Sequence, residues 1–262
     1  MDTYNSLMQG LKEDDTPVWE LYHENSKFTP YQKPIPYNEL QQWMSDLIVS
    51  YDYFQYPFFP LEKPHDTFDK SFSNILTSRQ TMQNLHPVEI SFKQLSSLLH
   101  YGYGITRGNE GTTFPHPFRT VPSAGALYPL EIYFHHNYIQ DIPSGLYHYS
   151  SAKNGVEQLK KGDFSKSLKE TFIQPEVAYN SSMLIFITAL MERSTHKYGE
   201  RAYRFAHIEA GHLAQNICLV AEALNLGVIP IGGFIDKNAD DFLEINGLTH
   251  STIYCMAIGS KT

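Results

Sequence analysis

The longest regular pattern of hydrophobic and polar positions runs from Arg204 to Leu226 and predicts one long helix. Small residues lie one turn apart at Ala206, Ala210 and Ala214, a spacing that lets another helix or a flat ring approach closely. Larger apolar residues recur at helical intervals and predict a buried stripe: Phe205, Ile208, Leu213, Ile217, Val220 and Leu224. We therefore expect this helix to lie at the centre of the core.

Shorter patterns elsewhere in the chain predict strands interleaved with helices. Ser91 precedes an amphipathic run from Phe92 to Leu99 and is a typical N-cap, and Gly102 or Gly104 would end that helix. Apolar runs bounded by turn residues predict four strands, over residues 130–135, 145–149, 183–190 and 253–258. This order favours an α+β fold with a central antiparallel or mixed sheet around the long helix.

The first 70 residues differ in pattern from the rest of the chain. Apolar residues have helical spacing over 37–53, whereas the stretch 56–64 contains three prolines and must be extended. The region is too rich in aromatic residues to be read as disordered. We predict that residues 1–70 form an extension or arm and that residues 71–262 form the main domain.

Composition narrows the classes of function. The chain has 20 basic and 28 acidic residues, a formal charge of −8, and no basic stripe that would bind nucleic acid. Its two cysteines, Cys218 and Cys255, do not form a Cys-x-x-Cys pattern, and His207 and His212 do not have metal-binding helical spacing. The apolar run 183–191 is too short to cross a bilayer, and the start of the chain does not resemble a signal peptide. We expect a cytoplasmic protein without a metal site.

Two patterns suggest a site for proton transfer and for binding of a flat ligand. Lys197 and Tyr198 place an amine beside a phenol just before the long helix, and a lysine can act as a base when burial lowers its pKa. Residues 122–126, Pro-Ser-Ala-Gly-Ala, and the pair Gly232-Gly233 can expose backbone groups to a flat ligand. Taken alone, each of these patterns is better explained as a surface turn or a plain loop.

As an ordered set, the motifs resemble the SagB-type, flavin-dependent peptide azoline dehydrogenases, a branch of the nitroreductase superfamily that includes the oxidase of microcin B17 synthesis. The resemblance covers about residues 72–260. The matching pieces are Ser78–Thr81 with Ile90–Phe92, Pro122–Tyr128 with Glu131, Gly145–Tyr149, Lys197–Arg204, Glu209–His212 with Gln215 and Asn216, and Gly227 with Gly232 and Gly233.

The resemblance implies a homodimer with a nitroreductase-like fold and FMN bound at the subunit interface. The family holds the FMN phosphate with an Arg-Arg-Ser/Thr-x-Arg segment, which reads Arg-Gln-Thr-Met-Gln over residues 79–83 here. The resemblance also implies that Lys197 and Tyr198 are the catalytic pair. The implied cofactor-binding residues are Arg79, Gln80, Thr81 and Lys261 at the phosphate, and Pro122, Ser123, Ala124, Gly125, Gly232 and Gly233 at the isoalloxazine ring.

The activity implied by the resemblance is FMN-dependent oxidation of thiazoline or oxazoline rings to thiazoles or oxazoles, with dioxygen as terminal acceptor. The substrate would be an azoline-containing precursor peptide, and the partners cyclodehydratase subunits; a carrier-bound thiazoline is a further possible substrate. A nicotinamide-dependent nitro- or quinone reductase is an alternative, although the Lys-Tyr pair argues against it. A flavin-free scaffold subunit is the other alternative, favoured by Gln80 and Gln83.

Overall fold

The structure, a computed structural model, describes residues 17–31 and 35–261 and is built around a seven-stranded sheet. The strands are β1 (Phe58–Pro60), β4 (Leu130–His136), β5 (Gly145–Ser150), β6 (Gly155–Lys161), β7 (Met183–Leu190), β8 (Leu226–Ile231) and β9 (His250–Ser260). They are ordered β1-β6-β5-β4-β7-β9-β8, and each neighbouring pair is antiparallel. A separate two-stranded ribbon consists of β2 (Ile105–Arg107) and β3 (Phe118–Arg119).

The described residues also form helices. They are α1 (Val18–Asn25), α2 (Tyr37–Asp46), α3 (Phe72–Ser78), α4 (Phe92–Tyr103), α5 (Ser165–Leu168), α6 (Val177–Asn180), α7 (Glu192–Tyr198), α8 (Arg201–Ala223) and α9 (Asp236–Leu243). Helix α8 packs on α4, where a Cβ on Gly102 would lie 2.9 Å from Ile217. Ala206, Ala210 and Ala214 are buried along α8, as small residues at close contacts should be.

The predicted α+β fold and central helix are confirmed. All four predicted strands are present, and the last is longer than predicted. Ser91 caps α4 in a reciprocal pair of hydrogen bonds: its hydroxyl accepts from the Gln94 N–H at 3.2 Å, and the Gln94 side chain accepts from the Ser91 N–H at 2.9 Å. The helix continues past Leu99 to Tyr103 and ends at Gly104.

Other details of the predicted elements were wrong. The long helix begins at Arg201 rather than Arg204 and ends at Ala223, because Asn225 has a φ of 59° and turns the chain into β8. Ile208 was predicted in the buried stripe, yet it is 54% exposed. At 100° per residue it lies about 180° around the helix from Ile217, so both cannot face the core.

Among the strands that were not predicted, two in the large sheet share a reason. β6 is mostly polar, and β8 contains Gly227 and Pro230, so neither has a strong local preference for the extended state. Pairing with neighbours makes both of them strands: β6 lies between β1 and β5, and β8 forms one edge of the sheet beside β9. An edge position tolerates the proline.

The N-terminal segment reaches the opposite edge of the sheet through β1. The predicted helix over 37–53 is present only over Tyr37–Asp46. The segment after it is held by two buried carboxylates: the Tyr51 N–H donates to Glu131 at 2.9 Å, and the Tyr53 N–H donates to Glu157 at 3.2 Å. Residues 1–16 and 32–34 lie outside the described residues, and the division at residue 70 stays a prediction.

Residues 17–31 and 35–261 contain neither a membrane-spanning helix nor a metal-binding cluster. In this part of the chain no helix is long and apolar enough to cross a membrane. The same residues contain no group of three or more His, Cys, Asp or Glu side chains placed to bind a metal ion. Cys218 and Cys255 are both buried and unpaired with each other.

Candidate functional site

The structure brings together two of the predicted motifs, the loop 122–126 and the pair at 197–198. A Cβ placed on Gly125 would lie 2.6 Å from the Tyr198 hydroxyl and 2.8 Å from Lys197 Nζ. Any residue larger than glycine at this position would therefore require Lys197 and Tyr198 to move. Two segments that are more than 70 residues apart in sequence thus place an amine and a phenol against one exposed stretch of backbone.

The loop around Gly125 has an unusual backbone. Gly125, Ala126 and Tyr128 have φ values of 64°, 54° and 46°, although only glycine adopts this region without strain. Hydrogen bonds hold the loop in place: the Tyr128 N–H donates to Ser123 Oγ at 3.0 Å, and the Arg119 N–H donates to the Tyr128 hydroxyl at 3.0 Å. Strain of this kind is concentrated at functional sites in proteins.

Lys197 and Tyr198 form the C-terminal end of α7 and are both partly buried. Burial lowers the pKa of Lys197 and raises the pKa of Tyr198, because it disfavours the charged form of each group. The Tyr198 ring packs edge-on against Phe205 at a centroid distance of 5.0 Å. At a given pH, a larger fraction of Lys197 is therefore uncharged than of a lysine in water, while Tyr198 keeps its proton.

The pair also lines a cleft of about 420 Å³. Residues 196–201 form one wall, and the opposite wall consists of Asn25, Ser26, Phe28 and Ile35. Three hydrogen bonds fasten the N-terminal wall to the start of α8. Arg201 donates to the Ser26 carbonyl at 3.2 Å, Arg204 to the His23 carbonyl at 2.8 Å, and the Tyr22 hydroxyl to the Glu200 carbonyl at 3.1 Å.

A buried ion pair, which sequence reasoning missed, joins α7 to the strained loop. The guanidinium of Arg193 donates to Glu131 at 2.5 Å and to the Tyr128 carbonyl at 3.3 Å. Glu131 also contacts His148 at 2.8 Å. Burial alone would raise the pKa of Glu131, but Arg193 and then His148 outweigh it and lower that pKa to about 2. The ion pair thus holds the helix that carries Lys197 against the loop that carries Gly125.

A second buried carboxylate, Glu209, lies beneath the same loop. Burial raises its pKa to about 7, against the opposing effect of hydrogen bonds from Ser123 and Tyr103. The Tyr103 hydroxyl donates to it at 2.5 Å. Glu209 belongs to one of the family motifs in the sequence, but no role was assigned to it there. A glutamate among the alanines of a buried helix face could have indicated this role.

The residues predicted to bind the FMN phosphate lie at the edge of the sheet formed by β8. Arg79, Gln80 and Thr81 follow α3, and the next residue, Met82, donates from its N–H to the Val228 carbonyl at 3.1 Å. Lys261 directly follows β9, whose end pairs with the start of β8. Lys261 forms an ion pair with the buried Glu222. This ion pair was not anticipated from the sequence.

Gly232 and Gly233 lie at the other end of β8, next to a cavity of about 250 Å³. The cavity walls include Phe172, Ile173 and residues 229–231. A Cβ on Gly232 would contact nothing within 4 Å, whereas one on Gly233 would lie 3.0 Å from Ile173. The cavity begins at Ile229, so three residues of strand, about 10 Å, separate it from the start of β8, near the cations. The arrangement fits a ligand with an anionic group at one end and a flat apolar ring at the other, as FMN has.

Comparison with known proteins decides the family. The nitroreductase family model matches residues 76–260. A protein of Methanocaldococcus jannaschii described as a nitroreductase is 30% identical over 198 residues, which cover 75% of this chain and 94% of that protein. The chain belongs to the nitroreductase family. Nitroreductase-family proteins are flavin-dependent oxidoreductases that bind FMN, which is the cofactor predicted from the sequence.

Two further proteins resemble this nitroreductase-family protein, one in sequence and one in fold. It is 32% identical over 146 residues to the trifolitoxin-processing protein TfxB of Rhizobium leguminosarum bv. trifolii, which covers 53% of this chain and 39% of TfxB. A chain of the E. coli microcin synthetase McbBCD complex, solved with truncated pro-MccB17 bound, has a TM-score of 0.60 at 18% identity, covering 94% of this chain and 92% of that one. At this identity the likeness shows a common fold.

Proposed function

We propose that this protein is an FMN-dependent dehydrogenase that oxidises thiazoline or oxazoline rings in a precursor peptide to thiazoles or oxazoles. The observation that carries the proposal is the packing of Lys197 and Tyr198 on the strained loop at Gly125, at the edge of a cleft. The similarity to the trifolitoxin-processing protein TfxB supports a peptide substrate. The fold shared with a chain of the microcin synthetase complex supports the same substrate class.

The chemistry requires a base and a hydride acceptor. Aromatising an azoline removes a proton and a hydride from neighbouring ring carbons, and bound FMN supplies the hydride acceptor. Lys197 takes the proton as the general base, and burial favours this role because it lowers the pKa of the amine. Tyr198 stays protonated and donates a hydrogen bond that stabilises negative charge on the ring as the proton leaves. Dioxygen is the proposed terminal acceptor.

The proposed FMN site uses both groups of predicted residues. Arg79, Gln80, Thr81 and Lys261 would hold the phosphate, and Gly232 with Gly233 would contact the ring. Pro122, Ser123, Ala124 and Gly125 would face the ring from a second copy of the chain. A homodimer therefore completes each site, which explains why one chain carries the two groups of residues in different places.

We also propose where the peptide binds, which partner proteins take part and where the reaction occurs. The cleft beside Lys197 is walled by Asn25, Ser26, Phe28 and Ile35, which fits a role of the N-terminal segment in binding the precursor peptide. Cyclodehydratase subunits, which form the azoline, are the proposed partners. We place the reaction in the cytoplasm, with residues 1–70 as an extension of the domain 71–262.

The first experiment is the visible spectrum of the purified protein, with the released cofactor identified by mass. Bound FMN is expected, and a colourless protein that does not take up FMN would point to a scaffold subunit instead. The second experiment incubates the holoprotein with a thiazoline peptide and dioxygen, and mass spectrometry should show the loss of two hydrogens. Bleaching of the flavin by a nicotinamide, without azoline oxidation, would instead identify a reductase.

One variant and a matched control test the role of Lys197 in that assay. Lys197→Ala should retain FMN and lose azoline oxidation by about 100-fold or more, because a positioned general base contributes this much. Lys169→Ala, an exposed lysine on another surface, is the matched control. Normal turnover by Lys197→Ala would remove Lys197 from the mechanism.

A further inference from the structure

A buried carboxylate gathers cations beside the proposed phosphate residues. Glu222, in the last turn of α8, is only 3% exposed. Its Oε1 accepts from Lys70 Nζ at 2.9 Å and from Ser78 Oγ at 2.6 Å, and its Oε2 pairs with Lys261. Arg79 directly follows Ser78 in the chain. One carboxylate therefore fixes two lysines beside the segment that begins with Arg79.

The charges of this cluster do not cancel. Burial alone would raise the pKa of Glu222, but hydrogen bonds from Lys261, Ser78 and Lys70 lower it to about 2, so the group is a carboxylate at neutral pH. Two cations, Lys70 and Lys261, contact this one negative charge and leave one positive charge over, to which Arg79 adds a second in the adjoining segment. Lys70 and Lys261 are 28% and 27% exposed, so solvent or a ligand can reach them.

We propose that Lys70 is a ligand of the FMN phosphate and that Glu222 positions it beside Lys261. A phosphate monoester carries between one and two negative charges at neutral pH, which matches the surplus charge of the cluster. Ammonium groups on both oxygens of one carboxylate lie close enough to contact different oxygens of one phosphate. The inference rests on FMN as the cofactor of the proposed function, and it does not depend on the substrate.

A purely structural role for Lys70 makes a different prediction. Lys70 Nζ also donates to the main-chain carbonyl of Glu222 at 2.8 Å, and so it caps the C-terminal end of α8. If Lys70 served only as this cap, its loss would weaken all flavins alike through the stability of the fold. A phosphate ligand instead discriminates FMN from riboflavin, which has the same ring without the phosphate.

The experiment measures the dissociation constants of FMN and riboflavin for the apoprotein by quenching of flavin fluorescence. Lys70→Gln should weaken FMN by about tenfold or more, as for loss of a charged hydrogen bond, and leave riboflavin unchanged. Lys70→Arg should keep most of the preference for FMN. Lys63→Gln is the matched control, since Lys63 is exposed and pairs with Asp66 instead. Equal weakening of both flavins by Lys70→Gln, or no change in either, would overturn the proposal.

A measurement on the unchanged protein covers the case in which Lys70→Gln does not fold. Lysine amines are acetylated in the apoprotein, with added FMN and with added riboflavin, and the modified peptides are quantified by mass spectrometry. FMN should protect Lys70 severalfold and riboflavin should not, while Lys63 reacts equally in all samples. Absence of protection by FMN contradicts the proposal. Neither experiment involves azoline turnover, so both outcomes are independent of the proposed reaction.

Discussion

The amine of Lys197 lies directly over Gly125, so that a single added methyl group would approach its Nζ to 2.8 Å. This contact links two segments that the sequence shows only as separate motifs. Glycine suits this position, since the φ of 64° disfavours other residues and a Cβ would force Lys197 and Tyr198 to move. Gly125 thereby sets the distance between the backbone of the loop and the side chains of Lys197 and Tyr198.

Gly125→Ala should consequently displace Lys197 and Tyr198 and lower azoline oxidation by about 100-fold, the size of effect expected when a base is misplaced. The matched control is Gly111→Ala, because Gly111 has a φ of 74° but no atom within 4 Å of an added Cβ. Both variants pay for left-handed backbone strain of about 1 kcal/mol. If the two variants lose activity equally, strain alone is responsible and the contact with Lys197 is unimportant.

Glu209 should make stability depend on pH between its ordinary pKa and its raised one. The folded protein binds a proton more tightly than the unfolded chain does, so this contribution is complete below pH 4.5 and is lost as the pH rises through about 7. Glu209→Gln removes the titration. Relative to the wild type, the variant should therefore gain stability between pH 5 and pH 8, on the order of 2–3 kcal/mol for a shift of this size.

Urea denaturation of both proteins at several pH values measures that difference. The comparison removes the contributions of the buried histidines His135, His136 and His250, whose lowered pKa values are common to both proteins. A difference that stays constant from pH 5 to pH 8 would show that Glu209 has no raised pKa.

The ion pair of Arg193 and Glu131 should be essential to the fold around the site. Arg193→Gln leaves a carboxylate that is 2% exposed without its main partner, and loss of one member of such a pair costs about 3–5 kcal/mol. The double variant Arg193→Gln with Glu131→Gln should recover part of this loss, because the uncompensated charge is gone. Thermal and urea unfolding of Arg193→Gln, Glu131→Gln and the double variant measure the coupling free energy between the two residues. Additive losses of stability would argue against a direct interaction.

The N-terminal wall of the cleft should affect peptide binding more than chemistry. Arg204→Ala removes the hydrogen bonds to His23, so we expect the KM for a full-length peptide to rise about tenfold, equivalent to about 1.4 kcal/mol. The rate with a small azoline should be unchanged. Arg107→Ala, a cation stacked on Phe118 in the separate ribbon, is the control. Equal effects on both substrates would mean that α1 supports the catalytic pair rather than the peptide.

Local sequence patterns were sufficient where an element is stabilised by its own residues. The capping box of Ser91 and Gln94 and the apolar run of β7 are of this kind, since each requires only neighbouring residues or continuous burial. Patterns failed at β6 and β8, whose residues have weak preferences and become strands through pairing. Ile208 was misplaced because an apolar residue was taken to face the core.

The sequence by itself determined the α+β fold, the buried helix with its small residues, and the motifs that identify the family. These features depend on residue type and spacing, which a linear chain displays in full. The tertiary structure alone decided which residues meet: Lys197 with Gly125, Arg193 with Glu131, and Lys70 with Glu222. Such contacts join residues far apart in the chain, so no local pattern can encode them, and the partners they supply outweigh burial and lower the pKa values of Glu131 and Glu222.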